Sequence, residues 1–393
     1  MTLFNSLGSN YNWKFVLRTL FSRGSTNSKN ELTKFLENKY QGQVTLVYKG
    51  RHALELGLEN LNLPMGSFVA IVGFTCFAVY EAIKNAKLDI EYLDVEKDTL
   101  NFSAETLQKA LKKNPQIKVV IIQNTLGYPC EIEKISDICK EKKLILVEDL
   151  AHSIGTIYEN GQEAGTFGDM TILSFSQDKM IDGISGGALI TKKQTLSLHP
   201  KGVRTKKQVI DKLYPLFTYL IRTTYSSGVG KILHFILKKL NLLSGPMDGG
   251  EKIYHLPAWY CSLIKAQFEK LAENLNHRKK IAAIYATQIN TQIISSKVSA
   301  AIDLSANLRF PIFVKNRERL IKYLARNQVF ISDIWYDGPI APKRYLAQTD
   351  YSGQCPNAET TSAQILNLPT HINITEIDAQ NLSNLINQWL KSR

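Results

Sequence analysis

From Val44 onward, short apolar runs alternate with stretches whose apolar residues recur at helical spacing. The runs are 44–48, 68–72, 90–95, 118–123, 144–149 and 170–176. Between them lie "RHALELGLENL" (51–61), "ETLQKALKK" (105–113) and "EIEKISDICKEKK" (131–143). Runs of four to eight apolar residues separated by amphipathic helices predict an α/β fold. Its sheet is expected to be mostly parallel, of a seven-stranded type, with helices on both faces. In such sheets a ligand sits outside the carboxyl ends of the strands.

The pattern changes after Gly183. "GVRTKKQVIDK" (202–212) is basic, and residues 213–245 mix apolar and aromatic residues with Arg222, Lys231, Lys238 and Lys239. Neither half of 213–245 has an apolar run long enough to span a bilayer. The segment reads in two ways: helices packed on the body or on a partner subunit, or a basic amphipathic surface resting on anionic lipid. "SGPMDGG" (244–250) reads as a linker. Beyond it, 257–289 is one long helical pattern, 308–314 a strand, 316–327 a helix and 376–393 an amphipathic helix. The expected division is a large domain over 1–245 and a smaller C-terminal α+β domain over 246–393.

Composition adds little to this outline. The 393 residues are 44% hydrophobic and 21% charged, as in ordinary globular proteins. A net charge of +13 suits nucleic acid, an anionic membrane surface or phosphate-bearing substrates. No zinc-ligand spacing, helix-turn-helix cue or basic-aromatic motif accompanies it, so nucleic acid is not an expected partner. Five scattered cysteines suggest a reducing compartment, and the first residues lack the apolar core of a signal peptide. The expected location is the cytoplasm, with the inner face of the membrane as an extension of the lipid-surface reading.

Three pieces carry chemistry. "VYKGRHALELGL" (47–58) is a strand, a glycine and a helix start, which would turn the amides of Gly50, Arg51 and His52 toward an anion such as phosphate. "LVEDLAHSIG" (146–155) ends a strongly apolar strand in Glu148 and Asp149, with His152 just beyond. A buried carboxylate there needs a partner, and a heterocyclic nitrogen is one that Asp149 would keep protonated. "SFSQDK" (174–179) then places Lys179 past the end of a buried strand, where desolvation lowers an amine's pKa. A phosphate cup, a strand-end acid and a later strand-end lysine together suit pyridoxal phosphate, whose aldehyde bonds a lysine. No metal is expected, because no further ligands flank His152.

The run from Val147 to Thr191, "VEDLAHSIGTIYENGQEAGTFGDMTILSFSQDKMIDGISGGALIT", resembles the nucleotide-sugar aminotransferases of the DegT/StrS type, pyridoxal-phosphate enzymes of fold type I. The likeness extends from "ELTKFLENKY" (31–40) to the C-terminus through "FVAIVGFTCFAVYEAI", "QNTLGYPCEIEKI" and "CPNAETTSAQILNLPTHINIT". It implies Lys179 as the cofactor-bonding lysine and acid/base, Asp149 at the ring nitrogen and His152 near the ring oxygen. It implies Ser174 at the phosphate, with backbone amides from Gly50 and Arg51. The family's sugar dehydratases carry His in place of that lysine, so Lys179 implies transamination. Glutamate would be the amino donor, a keto-sugar on a nucleotide or lipid carrier the acceptor, and a homodimer the working unit.

The sequence departs from the family pattern at four places. Lys49-Gly50-Arg51 stands for a Ser-Gly-Thr turn, replacing a hydroxyl with a guanidinium. Cys76 stands where members stack an aromatic ring on the cofactor, leaving Phe77 or Phe74 to serve. Ile253 stands where an Asn reaches the neighbouring subunit's phosphate, leaving Tyr254 or His255 to compensate. Residues 213–245 are longer and more apolar than in typical members. These departures carry the alternative reading, a non-catalytic or regulatory protein of this fold at the membrane surface.

Overall fold

The computed structural model describes residues 2–192, 201–245, 252–331 and 335–392. Its centre is a seven-stranded sheet of β1 (Gln43–Val47), β2 (Phe68–Val72), β3 (Asp89–Leu93), β4 (Ile117–Ile122), β5 (Ile145–Asp149), β6 (Met170–Ser174) and β7 (Gly187–Thr191). The spatial order is β1-β7-β6-β5-β4-β2-β3. Strand β7 runs antiparallel to both β1 and β6, and the other pairings are parallel. Every residue of β6 and β7 is buried, as expected where helices cover both faces. Six of the seven strands coincide with the apolar runs to within two residues at either end. The seventh follows the "SGG" turn, where Ile184 and Gly186 take φ of 72° and 135°.

Because β1 is antiparallel to β7, its carboxyl end lies on the same side as those of β5 and β6. The helix Gly50–Glu59 starts there. Close approach decides its place: a Cβ on Gly50 would stand 2.7 Å from Ser174 Cβ, and one on Gly187 would stand 2.7 Å from Gly50 N. Glycine at both positions lets the helix start sit directly on the ends of β6 and β7.

Residues 205–245 form two helices, Thr205–Thr223 and Val229–Lys239. The first begins in the basic stretch, earlier than the apolar pattern alone suggested. It is held by Asp211, which is fully buried and accepts hydrogen bonds from Tyr260 Oη at 2.6 Å, Ser244 Oγ at 2.6 Å and Tyr48 Oη. Lys207 Nζ lies 3.0 Å from the same carboxylate. The linker expected at 244–250 lies, from 246 on, outside the described residues.

The long pattern over 257–289 forms two helices, Ala258–Glu269 and Leu271–Gln288, parted at Lys270, whose ψ of 6° leaves helical geometry. The C-terminal part adds an antiparallel pair, Arg309–Phe313 with Ile365–Pro369. The last helix, Glu376–Lys391, starts in a Thr375/Asp378 capping box. The chain start joins this part: Leu3–Phe4 pairs with Val329–Phe330. A cut at 245 therefore leaves residues 3–4 bonded across it.

Candidate active site

One cavity lies at the carboxyl ends of β1, β5 and β6. Lys49, Gly50, Arg51, Cys76, Gln123, Asp149, His152, Ser174, Lys179 and Tyr336 are among its lining residues. Six of the seven residues singled out in the sequence thus meet there, from positions spread over 130 residues of chain.

Strand alternation separates the two acids at the end of β5. Glu148 turns away from the cavity and accepts from the N–H groups of Gly165, Phe167 and Gly168 at 2.7–2.8 Å and from Tyr158 Oη at 2.8 Å. It anchors a loop. Asp149 faces the cavity and accepts from Ala151 N at 3.0 Å and Gln123 Nε2 at 3.2 Å. Burial pushes the Asp149 carboxyl up, opposed by the Ala151 N–H, the Lys179 charge and the Gln123 amide. Gln123 is itself held by Thr75 Oγ1 at 2.5 Å.

Lys179 follows Asp178, whose φ of 62° is a left-handed conformation that Asp tolerates better than most residues. Its Nζ lies 4.7 Å from the Trp335 ring centroid. Burial pushes its amine down, opposed by the nearby Cys76, Asp149 and Asp178. A depressed pKa gives a lysine more of its nucleophilic neutral form.

His152 is buried, with its ring stacked on Trp335 at 5.1 Å and 12°. Its Nδ1 accepts from Leu126 N and lies near Tyr336 Oη, both at 3.3 Å. An accepting Nδ1 places the ring proton on Nε2. Burial and the charges of Lys179 and Arg309 push its pKa well down, which favours the neutral ring.

Arg51 lines the cavity at the start of its helix, with its guanidinium in an ion pair with Glu81 on the helix Phe77–Asn85. One expectation needs correction: Phe77, expected beside the cofactor, is not among the lining residues. It stacks on Tyr345 at 4.8 Å and Tyr80 at 5.5 Å, while Cys76 before it faces inward. Successive residues at a helix start point in different directions, and here Cys76 takes the inward one. The aromatic there is Tyr336, backed by Phe74 at 4.5 Å. Tyr254 and His255 are joined by backbone to the end of β1: Tyr254 O accepts from Tyr48 N at 2.9 Å, and His255 bridges to Val47.

Sequence reading missed Gln123, Trp335 and Tyr336. Gln123 closes a predicted strand and was within reach of the strand-end argument. Trp335 and Tyr336 arrive from far along the chain, with no local signal.

The donor set fits pyridoxal phosphate. The cradle between Gly50 and Ser174 is one that a Cβ would fill, and it lies at a helix start whose Lys49 cap makes no side-chain capping hydrogen bond. First-turn N–H groups have no partner within a helix and suit a phosphate. A buried acid and a buried amine line the same cavity.

The chain is similar to known proteins along most of its length. It is 31% identical over 184 residues to the GDP-perosamine synthase of Escherichia coli O157:H7, covering 46% of this chain and 50% of that protein. It is 26% identical over 279 residues to the UDP-4-amino-4,6-dideoxy-N-acetyl-beta-L-altrosamine transaminase of Campylobacter jejuni strain 81-176, covering 69% and 66%. The chain spans about half the length of the first of these relatives. Its fold matches Helicobacter pylori PseC, an aminotransferase involved in pseudoaminic acid biosynthesis, with a TM-score of 0.71 at 17% identity across 97% of this chain and 96% of that one. The model of the DegT/DnrJ/EryC1/StrS aminotransferase family matches residues 18–215 and 247–387, passing over 216–246. That match covers well over half of the sequence, and the chain belongs to the DegT/DnrJ/EryC1/StrS aminotransferase family.

Proposed function

We propose that this protein is a pyridoxal-phosphate-dependent aminotransferase that moves an amino group from glutamate to a keto-sugar on a nucleotide or lipid carrier. The observation that carries the reading is the convergence of Lys179, Asp149 and the Gly50–Ser174 cradle on one cavity. The bound cofactor would supply an aldehyde carbon and a ring that withdraws electrons. Lys179 would be the amine that bonds the aldehyde with loss of water, and its freed amine would be the base that takes and returns the proton at the carbon beside the substrate's amino group. Asp149, buried and oriented by Gln123, would hold the proton on the ring nitrogen. His152, its orientation fixed by the Leu126 N–H and Tyr336 at Nδ1, would offer its Nε2 proton to the ring oxygen. Ser174 and the first turn of helix Gly50–Glu59 would hold the phosphate.

Biosynthesis of amino sugars for cell-surface polysaccharide is the setting that the named relatives support. The working unit in this reading is a cytoplasmic homodimer with peripheral membrane contact through 213–245. Among the described residues no helix is long and apolar enough to cross a membrane.

The test is the first half-reaction. Glutamate added to cofactor-loaded protein is expected to bleach the visible absorbance, and a keto-sugar to restore it. Retained absorbance after glutamate would favour a non-catalytic protein of this fold.

A further inference from the structure

The helices Trp13–Phe21 and Val229–Lys239 both pack against Thr205–Thr223, and each has an apolar ridge facing outward. In the first helix Val16 and Thr19 are buried, whereas Trp13, Leu17 and Phe21 are exposed, Phe21 by 77%. In the second, Gly230 and Leu237 face inward, whereas Ile232, Phe235, Ile236 and Leu240 are exposed, Phe235 by 68%. Spacings of three and four put each set on one face of its helix. The middle helix binds the first: Trp13 lies 5.7 Å from Tyr219 between ring centroids, and Lys212 Nζ donates to Ser22 O at 2.8 Å. Contacts of Trp13 with Tyr219 and of Ser22 with Lys212 make that pair antiparallel. The second helix closes a hairpin with the middle one, since Gly230 N donates to Thr224 O at 2.9 Å and Ser244 returns to Asp211.

Charge selects the occupant. Residues 12–24 hold three basic residues and no acid, and 201–245 hold nine against the single acid Asp211. Asp211 is fully buried beneath Tyr48 and Tyr260, so no carboxylate of these segments faces out. Lys231, Lys238 and Lys239 border the second ridge; Lys14 and Arg18 border the first. An apolar ridge edged only by cations fits the acyl boundary and headgroups of an anionic bilayer. A second copy of this face would set like charges against each other. The family's common body does not require the segment, because its model passes over 216–246.

We infer that helices Trp13–Phe21 and Val229–Lys239 form one composite face that docks on an anionic lipid bilayer. The inference rests on the proposed peripheral contact of 213–245 and adds the N-terminal helix as its second half. Trp13 and Phe21 enter the headgroup boundary beside Phe235 and Ile232, and the flanking lysines meet lipid phosphates.

The test uses full-length, cofactor-loaded protein with sucrose-loaded vesicles of phosphatidylcholine, with and without phosphatidylglycerol. The protein is expected to sediment with the anionic vesicles alone, and raised salt is expected to release it. The pairs Ile232→Glu with Phe235→Glu, and Trp13→Glu with Phe21→Glu, are each expected to lower the partition coefficient about tenfold or more. All four positions are exposed, so the glutamate response of the cofactor absorbance should persist in both variants. That response separates failure of the docking face from failure of the aminotransferase reading. Absence of sedimentation with anionic vesicles would overturn the inference. So would undiminished binding by the Trp13/Phe21 variant, or light scattering showing that either variant splits a stable oligomer.

Discussion

The phenol of Tyr11 donates a 2.8 Å hydrogen bond to Asp182, three residues beyond Lys179. Asn10 Nδ2 donates to the same carboxylate at 3.2 Å, as do the N–H groups of Asp178 at 2.8 Å and Ile184 at 2.9 Å. The start of the chain thus braces the loop that carries the lysine. Tyr11→Phe is expected to cost about 1–2 kcal/mol, read as a lower midpoint in urea unfolding.

The same carboxyl gives a pH signature. Burial and the neighbouring Asp178 push Asp182 up to about 7, against its ordinary 3.8. Between these values the folded protein holds a proton that the unfolded chain releases, so its stabilising contribution is complete at low pH and is lost as pH rises through about 7. Melting temperatures across that window should fall less steeply for Asp182→Asn than for the parent. Parallel curves would refute the assignment.

Gly50→Ala tests the cradle. The added Cβ would meet Ser174 Cβ at 2.7 Å and Oγ at 3.0 Å, between two packed elements that cannot both yield. Overpacking of this kind costs about 1–3 kcal/mol. The larger effect is expected in pyridoxal phosphate affinity, measured by equilibrium dialysis. An unchanged dissociation constant would place the phosphate elsewhere.

Glu148 and Asp149 should separate stability from chemistry. Glu148→Gln sets an amide among four donors and is expected to cost about 2–4 kcal/mol, with cofactor absorbance intact in the folded fraction. Asp149→Asn is expected to leave the melting temperature nearly unchanged while slowing the glutamate half-reaction about a hundredfold or more in stopped-flow traces. The reverse pattern would exchange the two roles.

Asp211 ties the helix Thr205–Thr223 to Tyr48, which directly precedes Lys49 and Gly50. Asp211→Ala strands two phenols and a serine hydroxyl and breaks the ion pair with Lys207, and about 3–5 kcal/mol of stability should go with them. Cofactor affinity should weaken as well, because Tyr48 also accepts from Ser185 Oγ at 2.9 Å and so aligns the start of β1's turn with that of β7. Isothermal titration of the folded variant with pyridoxal phosphate checks the second effect.

The chain by itself determined the sheet and the chemistry at its strand ends. A strand buried on both faces must be written as an unbroken apolar run, so 118–123, 144–149 and 170–176 were legible as strands, and Asp149, Ser174 and Lys179 as residues at or past their ends. What governs a side chain's final direction is not local. Arg51 and Phe77 occupy the expected turn and helix start, yet the Arg51 guanidinium turns to Glu81 while Arg51 still lines the cavity, and Phe77 packs on Tyr345 outside it. Tyr336 enters it and Trp335 packs against Lys179 from beyond residue 330, and the Leu3–Tyr11 segment reaches the lysine loop from the far end of the chain. Periodicity records which face of an element is apolar. Which distant side chain meets that face is decided only when the elements pack, because the energy of such contacts depends on neighbours that sequence order does not reveal.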